Sequence, residues 1–416
     1  MVDGGRCQPL EEQTLPLYHQ KRYYPVKIGE VFKNQYRIIA KLGYGAYSTI
    51  WLARDERFIH TPNLTDIDQL RCRSKQYTSL KVCVQDDAEA SPVINEVRML
   101  RRLGKFAQDA DHPGLDFTRL ASDIFEIDGQ FGRHHCIATK PQGSSLRTLQ
   151  ETFTDAILPK ILVKSLIHRL LFSINWLHAT CGVVHTDISP QNVLTEAEDE
   201  LTFRDIEEKE SREPSIPTTS DGALVYKSRA TMEELSGIPV LTDFGQMRLA
   251  EPINKDWWMP DLYRAPEVLL GLPWGFPVDV WSVGVMTLEL LEGKNLFDPI
   301  DHVHDQYVLP LALVQYVGYL GPPPLEVIMR SPLFSTYFDE EGNWISEPPV
   351  PKTSFEDFVT TIAPGDEKEL FLKFVRKMLV WDPEVRATSN EIIADEWLMM
   401  PVDDIEGETR VTGTTQ

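Results

Sequence analysis

Two short motifs near the middle of the chain carry the residues best suited to chemistry. The first is HTDISPQN, His185 to Asn192, in which Asp187 and Asn192 stand five residues apart after an apolar, strand-like approach. The second is Asp243-Phe244-Gly245, which is followed by Ala265-Pro266-Glu267. Phosphoryl transfer depends on positioning and on neutralising phosphate charge, and this order of acids and amide suits that reaction. We predict that Asp187 orients a hydroxyl nucleophile and that Asn192 and Asp243 bind Mg²⁺.

A glycine-rich turn upstream predicts where ATP would bind. In LGYGAYSTIW, residues 42–51, two glycines without side chains would let the backbone approach phosphates, although the motif alone also fits a hairpin turn. Lys81 in SLKV is predicted to bind the α- and β-phosphates and Glu96 to hold it, although a surface ion pair would explain the same two residues. The predicted nucleotide contacts are Leu42, Gly43, Gly45, Ser48, Lys81, Glu96 and Gln142, and the predicted catalytic set is Lys81, Asp187, Asn192 and Asp243.

The surrounding pattern predicts two lobes that position these motifs. Segments rich in β-branched and aromatic residues lie at 36–43, 48–55, 79–84 and near 124–139, with one helical segment at 92–103. Segments with helical spacing follow at 161–178, 278–293, 305–320, 366–380 and 389–399. We therefore predict an α+β, bilobal fold, with a β-rich N-lobe over 23–140 and a mainly α-helical C-lobe over 141–400. The segment 138–143 is the predicted hinge, with Thr139 near the back of the nucleotide pocket.

Three segments are predicted to lie outside this framework: a flexible leader over 1–22, a loose tail over 401–416 and an insertion over 196–238. The insertion begins with EAEDELTFRDIEEKESRE, which has nine acidic and three basic residues, and continues with Pro, Ser, Thr and Gly. Such a composition predicts too little apolar burial for the segment to order itself. A tolerated surface insertion and a regulatory or partner-binding segment both fit. A smaller interruption at 56–77 separates two of the predicted strands.

Composition restricts the class of protein. The chain has 416 residues, no apolar run long enough for a membrane span, and no basic-then-apolar signal at its start. Its five cysteines are scattered, which favours free thiols over a metal site or a disulfide framework. The net charge of −22 repels nucleic acid and anionic membranes and attracts basic partners. We expect an intracellular monomer, in the cytoplasm, the nucleus or both.

The opening stretch, residues 23–55, resembles the SR-protein-kinase (SRPK) family, as a divergent fungal-type member. The resemblance spans about residues 23–400 and rests on four features. These are the Y-x-P-V-x-I-G entry, the turn with Ser48 in place of the third glycine, HTD in place of HRD, and the segment 320–344. It implies an ATP- and Mg²⁺-dependent serine/threonine kinase acting on Arg/Ser-rich proteins. It also implies that Asp279 is structural and that Arg386 pairs with Glu267.

Three positions depart from the family pattern. Ser189 stands where such kinases carry a lysine at the γ-phosphate, and Pro260 stands where they carry the threonine that bonds to it. The two losses together suggest that this corner was rebuilt or has decayed as a unit, and Lys255 is one candidate substitute. Thr186 replaces the HRD arginine, and residues 246–262 contain no Ser, Thr or Tyr. The active shape is therefore predicted to rest on packing and not on phosphorylation.

Two other functions compete with an active protein kinase. A pseudokinase or weak kinase that binds nucleotide and acts as a docking platform fits the loss at Ser189. Retention of Lys81, Glu96, Asp187, Asn192 and Asp243 argues against complete loss of activity. A small-molecule phosphotransferase of the same fold is the other alternative, and the Ala265-Pro266-Glu267 motif argues against it.

Overall fold

A computed structural model of the protein describes residues 10–58, 76–86, 88–108, 110–130, 132–197, 200–220, 223–229 and 237–401. Its strands are β1 Val31–Phe32, β2 Tyr36–Gly45, β3 Ser48–Asp55, β4 Tyr77–Cys83, β5 Ala121–Gly129, β6 Gly132–Thr139, β7 Val183–Val184, β8 Val193–Thr195, β9 Thr218–Ser220, β10 Ala223–Val225, β11 Pro239–Leu241, β12 Arg248–Leu249, β13 Ile300–Asp301 and β14 Gln306–Tyr307. Its α-helices are α1 Pro16–His19, α2 Pro92–Ala107, α3 Leu146–Gln150, α4 Lys160–Asn175, α5 Leu201–Arg212, α6 Pro266–Leu269, α7 Pro277–Glu292, α8 Leu309–Leu320, α9 Leu325–Ile328, α10 Phe334–Tyr337, α11 Phe355–Phe358, α12 Asp366–Met378, α13 Ser389–Ile393 and α14 Glu396–Met399. The predicted loose tail, apart from Pro401, and most of the predicted interruption at 56–77 lie outside the described residues.

The N-lobe is a six-stranded antiparallel sheet in the order β1-β2-β3-β4-β6-β5. The glycine-rich turn joins β2 to β3, where Gly45 pairs with Ser48. Lys81 lies on the central strand β4, opposite Ile50 on one side and Ile137 on the other. Helix α2 begins at the cap residue Ser91, whose side chain accepts a hydrogen bond from the Val93 amide. The sheet and α2 therefore hold the predicted nucleotide residues on one rigid framework.

The C-lobe packs its helices around α7, in which nearly every residue is buried. Asp279 on this helix accepts hydrogen bonds from the amides of His185 and Thr186, each at 2.7 Å. Its carboxylate also contacts the His178 ring at 2.8 Å. A buried carboxylate thus fixes the backbone just before Asp187. The β-rich lobe and the helical lobe confirm the predicted bilobal α+β fold.

The insertion differs from the expectation that it could not order itself. Its first part forms α5, and the α5 side chains of Phe203 and Ile206 are buried with Leu52 of β3 and Tyr77 of β4. Glu207 pairs with Arg54 and accepts a hydrogen bond of 2.6 Å from the Tyr77 hydroxyl. The segment alone is too polar to bury itself, but the N-lobe sheet supplies the apolar surface that the helix needs.

The described part of the leader differs from the predicted flexible segment over 1–22, because residues 10–22 fold against the N-lobe, while residues 1–9 lie outside the described residues. A 3-10 turn, Glu11–Thr14, precedes α1 and places two carboxylates beside Lys41 of β2. The Lys41 side chain is fully buried, and its Nζ lies 2.7 Å from Glu11. The amide and hydroxyl of Ser228, from the insertion, donate to the same Glu11 at 2.5 and 2.9 Å. One polar cluster thus joins the leader, the insertion and strand β2.

Candidate active site

The structure brings most of the predicted site residues to one cavity of about 660 Å³ between the lobes. The predicted residues that line it are Leu42, Gly43, Gly45, Ser48, Lys81, Glu96, Gln142, Asn192 and Asp243, and Thr139 lines it as well. Asp187 lies in a neighbouring pocket of about 330 Å³, together with Thr186, Trp258 and Pro260. The predicted nucleotide-binding residues and the predicted nucleophile-orienting carboxylate thus line two adjoining pockets.

The lysine and glutamate predicted to act together are in contact. Lys81 Nζ lies 2.8 and 2.7 Å from the two carboxylate oxygens of Glu96. Burial disfavours the lysine charge, but Glu96 and then Asp243 outweigh it and raise the Lys81 pKa above its ordinary value. Lys81 is therefore a permanent cation in the cavity.

The catalytic loop is held by its own hydrogen bonds. The Asn192 side-chain amide donates to the Asp187 carbonyl at 2.8 Å, which fixes the five-residue spacing of the two residues. The buried His185 ring accepts from the Asp187 amide at 3.2 Å and contacts the Thr242 carbonyl at 3.0 Å. His185 therefore links the HTD loop to the strand before Asp243, which is a structural role.

The two aspartates have opposite electrostatic environments. Burial, and then the charge of Asp243, raise the pKa of Asp187 from 3.8 to about 7. Asp243 has its pKa lowered, first by Lys81. Asp243 is thus a permanent anion, whereas Asp187 can gain and lose a proton near neutral pH.

The donors at the cavity fit a hard cation. Asp243 and Asn192 offer carboxylate and amide oxygens, the ligand type that Mg²⁺ prefers, and Mg²⁺ usually completes its shell with water and phosphate. Within the described part of the chain, no cluster of three or more His, Cys, Asp or Glu side chains is arranged to hold a metal. A Mg²⁺ ion held by Asp243 and Asn192 would take its remaining oxygen ligands from phosphate and water.

The corner around Asp187 has uncharged residues at both departing positions, Ser189 and Pro260. Ser189 is buried, and Pro260 lines the Asp187 pocket beside Trp258 and Met259. The predicted substitute Lys255 does not face this corner, since it lines a separate groove with Arg248 on the α2 side. Lys255 is thus not placed to replace the missing lysine.

The stretch between the Asp243 and Glu267 motifs, called the activation segment here, is held by a polar cluster around Trp258. Its indole N–H donates to the Thr186 hydroxyl and to the Gln246 carbonyl, both at 3.1 Å. The Thr186 hydroxyl donates to the Gln246 carbonyl at 2.9 Å, and the Arg248 guanidinium lies 3.6 Å from the centre of the indole. These contacts hold the segment without a phosphate.

Several cavity-lining residues are absent from the sequence-based prediction, among them Arg119 and Ser228. Arg119 precedes β5, and Ser228 comes from the insertion. Neither belongs to a motif, and only the fold brings them to the cleft. An arginine directly before the apolar pair Leu120-Ala121 is the one available signal for Arg119, and Ser228 has none.

The C-lobe anchor expected from the resemblance is present. Arg386 donates to both oxygens of Glu267 at 2.7 and 2.9 Å, and both side chains are fully buried. The guanidinium also lies 5.2 Å from the ring centre of Trp281 on α7. This bidentate pair fixes the end of the activation segment to the core of the lobe.

Comparison with known proteins identifies the family. Residues 133–398 match the protein kinase domain. A serine/threonine protein kinase of Aspergillus fumigatus is 34% identical over 397 residues, which cover 94% of this chain and 91% of that relative. The serine/threonine-protein kinase SRPK of Physarum polycephalum is 26% identical, with 95% and 93% covered, and SRSF protein kinase 3 of Mus musculus is 23% identical, with 93% and 91% covered. The chain therefore belongs to the protein kinase family, and it is an SRPK-like serine/threonine kinase.

Proposed function

We propose that this kinase transfers the γ-phosphoryl group of ATP to serine in basic, Arg/Ser-type protein segments. The observation that supports the proposal most is the meeting of Lys81, Asn192 and Asp243 at one cavity, with Asp187 beside it. A monomeric state and a place in the cytoplasm or nucleus stay predictions. Among the described residues no helix is long and apolar enough to cross a membrane.

In the proposed reaction Lys81 binds the α- and β-phosphates, and Asp187 accepts the proton of the serine hydroxyl. The serine oxygen bonds to the γ-phosphorus while the bond from that phosphorus to its bridging oxygen breaks, so ADP leaves with the negative charge. A pKa of about 7 suits a carboxylate that must take a proton and release it again. Asn192 and Asp243 would hold Mg²⁺, which when bound would neutralise charge on the β- and γ-phosphates.

The substrate class rests on charge and on the relatives. The chain has a net charge of −22, which favours encounters with arginine-rich segments. Two of the similar proteins are named SRPK and SRSF protein kinase. Together these observations support basic serine-containing proteins over acidic ones.

The proposal is tested with radiolabelled ATP and an Arg/Ser-repeat peptide. Wild type is expected to transfer label, and Asp187→Ala and Asp243→Ala are each expected to lower kcat by on the order of 10³ or more. A matched peptide with glutamate in place of arginine is expected to be a poor substrate. Equal labelling of both peptides would contradict the proposed specificity.

A docking platform with weak or no catalysis is the second candidate, and Ser189 with Pro260 favours it. Losing a cation at the transferred phosphate costs on the order of 10²–10³ in rate. Nucleotide binding followed by thermal shift separates the two functions. Stabilisation by ATP without transfer to any serine peptide would support the platform and reject the catalytic proposal.

A further inference from the structure

The nucleotide cavity contains a second cation that no predicted role accounts for. Of the described residues that line it, Lys81 and Arg119 are the ones with a positive charge. Arg119 is partly buried, and its Nε is fully buried without a hydrogen-bond partner. Its guanidinium takes part in none of the ion pairs among the described residues. A buried, unpaired donor of this kind is costly unless a ligand satisfies it.

The position of Arg119 points to the phosphate end of the cavity. Burial lowers the pKa of Arg119 to about 10, and the nearby charges of Glu96 and Asp243 oppose this shift without forming an ion pair with the guanidinium. Asp243 is the residue proposed to hold Mg²⁺ at the β- and γ-phosphates, whereas the hinge residues Thr139 and Gln142 lie where adenine is expected. The guanidinium is thus grouped with the phosphate-binding side chains.

The charge balance of the site supports the same assignment. A lysine at position 189 would add one cation beside the transferred phosphate, and Ser189 removes it. Arg119 restores one cation to the cavity from a different segment. An arginine can donate two parallel hydrogen bonds to a phosphate, which suits the task.

We propose that Arg119 binds the terminal phosphate of the nucleotide and takes over the charge lost at Ser189. This inference rests on the proposed nucleotide site. Loss of Arg119 should therefore weaken binding of ATP more than binding of ADP, because ADP lacks the phosphate in question.

The test compares the affinities of ATP and ADP, each with Mg²⁺, by calorimetry. Arg119→Gln is expected to weaken ATP binding by about tenfold or more and ADP binding by about threefold or less, as for one charge-assisted contact. The ATP affinity of Arg119→Lys should lie between those of wild type and Arg119→Gln. Arg133→Gln is the matched control, because Arg133 is an exposed arginine on β6 paired with Glu126, and it should leave both affinities unchanged.

A second-site rescue makes the test specific. Ser189→Lys in the Arg119→Gln background should recover part of the lost ATP preference and of kcat. Equal weakening of ATP and ADP, or no change, would overturn the assignment while leaving the kinase proposal intact. Wild type that binds neither nucleotide would overturn both. If Arg119→Gln does not fold, Arg119→Lys serves as the test. An unchanged ratio of ATP affinity to ADP affinity in that variant would reject a bidentate contact to the terminal phosphate.

A separate feature is a basic groove of about 1080 Å³ between α2 and the activation segment. Asp256 is the one acidic residue among those that line it. The basic residues of the groove are Arg98, Arg101, Arg102, Lys105, Arg248 and Lys255. Arg248 pairs with Asp256 at 3.7 Å, whereas the other five take part in none of the ion pairs among the described residues. In a chain of net charge −22 this surface is a local exception.

The groove also has exposed apolar side chains. Ile253 is 66% exposed, and Leu249 and Phe106 are more than a third exposed. Basic and apolar residues together favour an acidic peptide with interspersed large apolar residues over a uniformly charged polyanion. Asn95, at the groove wall, donates to the carbonyls of Gly245 and Met247 at 2.9 Å, so an occupant would lie against the segment that follows Asp243.

We infer that the groove docks an acidic, partly apolar peptide segment of a partner protein. Fluorescence anisotropy with a labelled peptide of alternating Glu and Leu or Phe tests this. Binding should weaken about tenfold or more in Arg101→Glu/Lys105→Glu and in Ile253→Asp. Arg330→Glu, on the C-lobe surface, is the matched control. Equal binding by all variants, no binding, or preference for a single-stranded RNA of equal charge would overturn the inference.

Discussion

At the scale of single residues, the environment of Asp187 predicts the pH dependence of the kinase. Burial and the nearby Asp243 raise the Asp187 pKa to about 7, and the position that would carry a neutralising lysine is Ser189. A carboxylate must be unprotonated to accept the serine proton, so kcat/KM should fall as the pH drops below about 7. Ser189→Lys should move this acidic limb to lower pH, because a cation favours the carboxylate.

The measurement is kcat/KM against pH for wild type, Ser189→Lys and the neutral control Ser189→Ala. The alanine variant should keep the limb of the wild type. A wild-type limb centred between pH 4 and 5 would show that Asp187 titrates as an ordinary carboxylate.

The ionised Asp187 carboxylate should also lower the free energy of unfolding. Because the folded-state pKa of about 7 lies above the ordinary 3.8, the unfolded chain releases this proton more easily. The penalty is absent below about pH 4, grows between the two values and is complete above pH 7, where it is on the order of 4 kcal/mol. Asp187→Asn should therefore abolish transfer yet raise the unfolding midpoint at pH 8 more than at pH 4.5. An equal gain at both pH values in urea unfolding would contradict the raised pKa.

At the scale of elements, the activation segment should keep its shape without phosphate. Trp258 supplies the contact to Thr186, and Arg248 covers its ring. Trp258→Ala should lower kcat by about tenfold, because the hydrogen bonds of the indole N–H to Thr186 and Gln246 and one cation–π contact are lost. Phosphatase treatment should leave wild-type turnover unchanged. Trp258→Phe retains an aromatic ring without the N–H, and its kcat should lie between those of wild type and Trp258→Ala. A large loss of turnover after phosphatase treatment would contradict a segment held by packing.

The polar cluster that joins the leader to strand β2 should stabilise the N-lobe. Lys41 is fully buried between Glu11 and Glu12, and its Nζ also donates to the Tyr226 carbonyl at 3.1 Å. Removing one partner of a buried ion pair leaves the other unpaired, which costs about 3–5 kcal/mol. Lys41→Met should lower the free energy of unfolding by that amount in urea, and the exposed-site variant Arg133→Gln by less than about 0.5 kcal/mol. A Lys41→Met loss below about 1 kcal/mol would contradict the burial of this pair.

The elements also show what could be predicted from the sequence. The catalytic loop and the DFG segment follow from local residue order, and Asp187, Asn192 and Asp243 come close together once the strands form. Helix α5 could not be predicted, because Phe203 and Ile206 bury their side chains only against another segment of the chain. Arg119 reaches the cavity for the same reason, since its position depends on how β5 packs beside α2 and not on any periodicity.

At the scale of the whole molecule, the insertion connects the two lobes. It leaves the C-lobe at β8, docks α5 on the N-lobe, and returns as β11, which pairs with β8 again. Lys140 at the hinge pairs with Glu196 at the start of the insertion. The lobes are thus tied at the hinge and through α5, so that movement of one lobe against the other must deform or release these contacts.

The overall charge predicts how substrate recognition responds to salt. With a net charge of −22, the protein attracts an arginine-rich peptide over distances that salt screens within about 10 Å at 0.1 M ionic strength. The KM for an Arg/Ser peptide should therefore rise by about tenfold between about 50 and 300 mM NaCl while kcat changes little. A peptide with citrulline in place of arginine has the same shape without the charge, and its KM should be high and nearly independent of salt. If both peptides responded alike, the attraction would come from local contacts at the cleft and not from the field of the whole molecule.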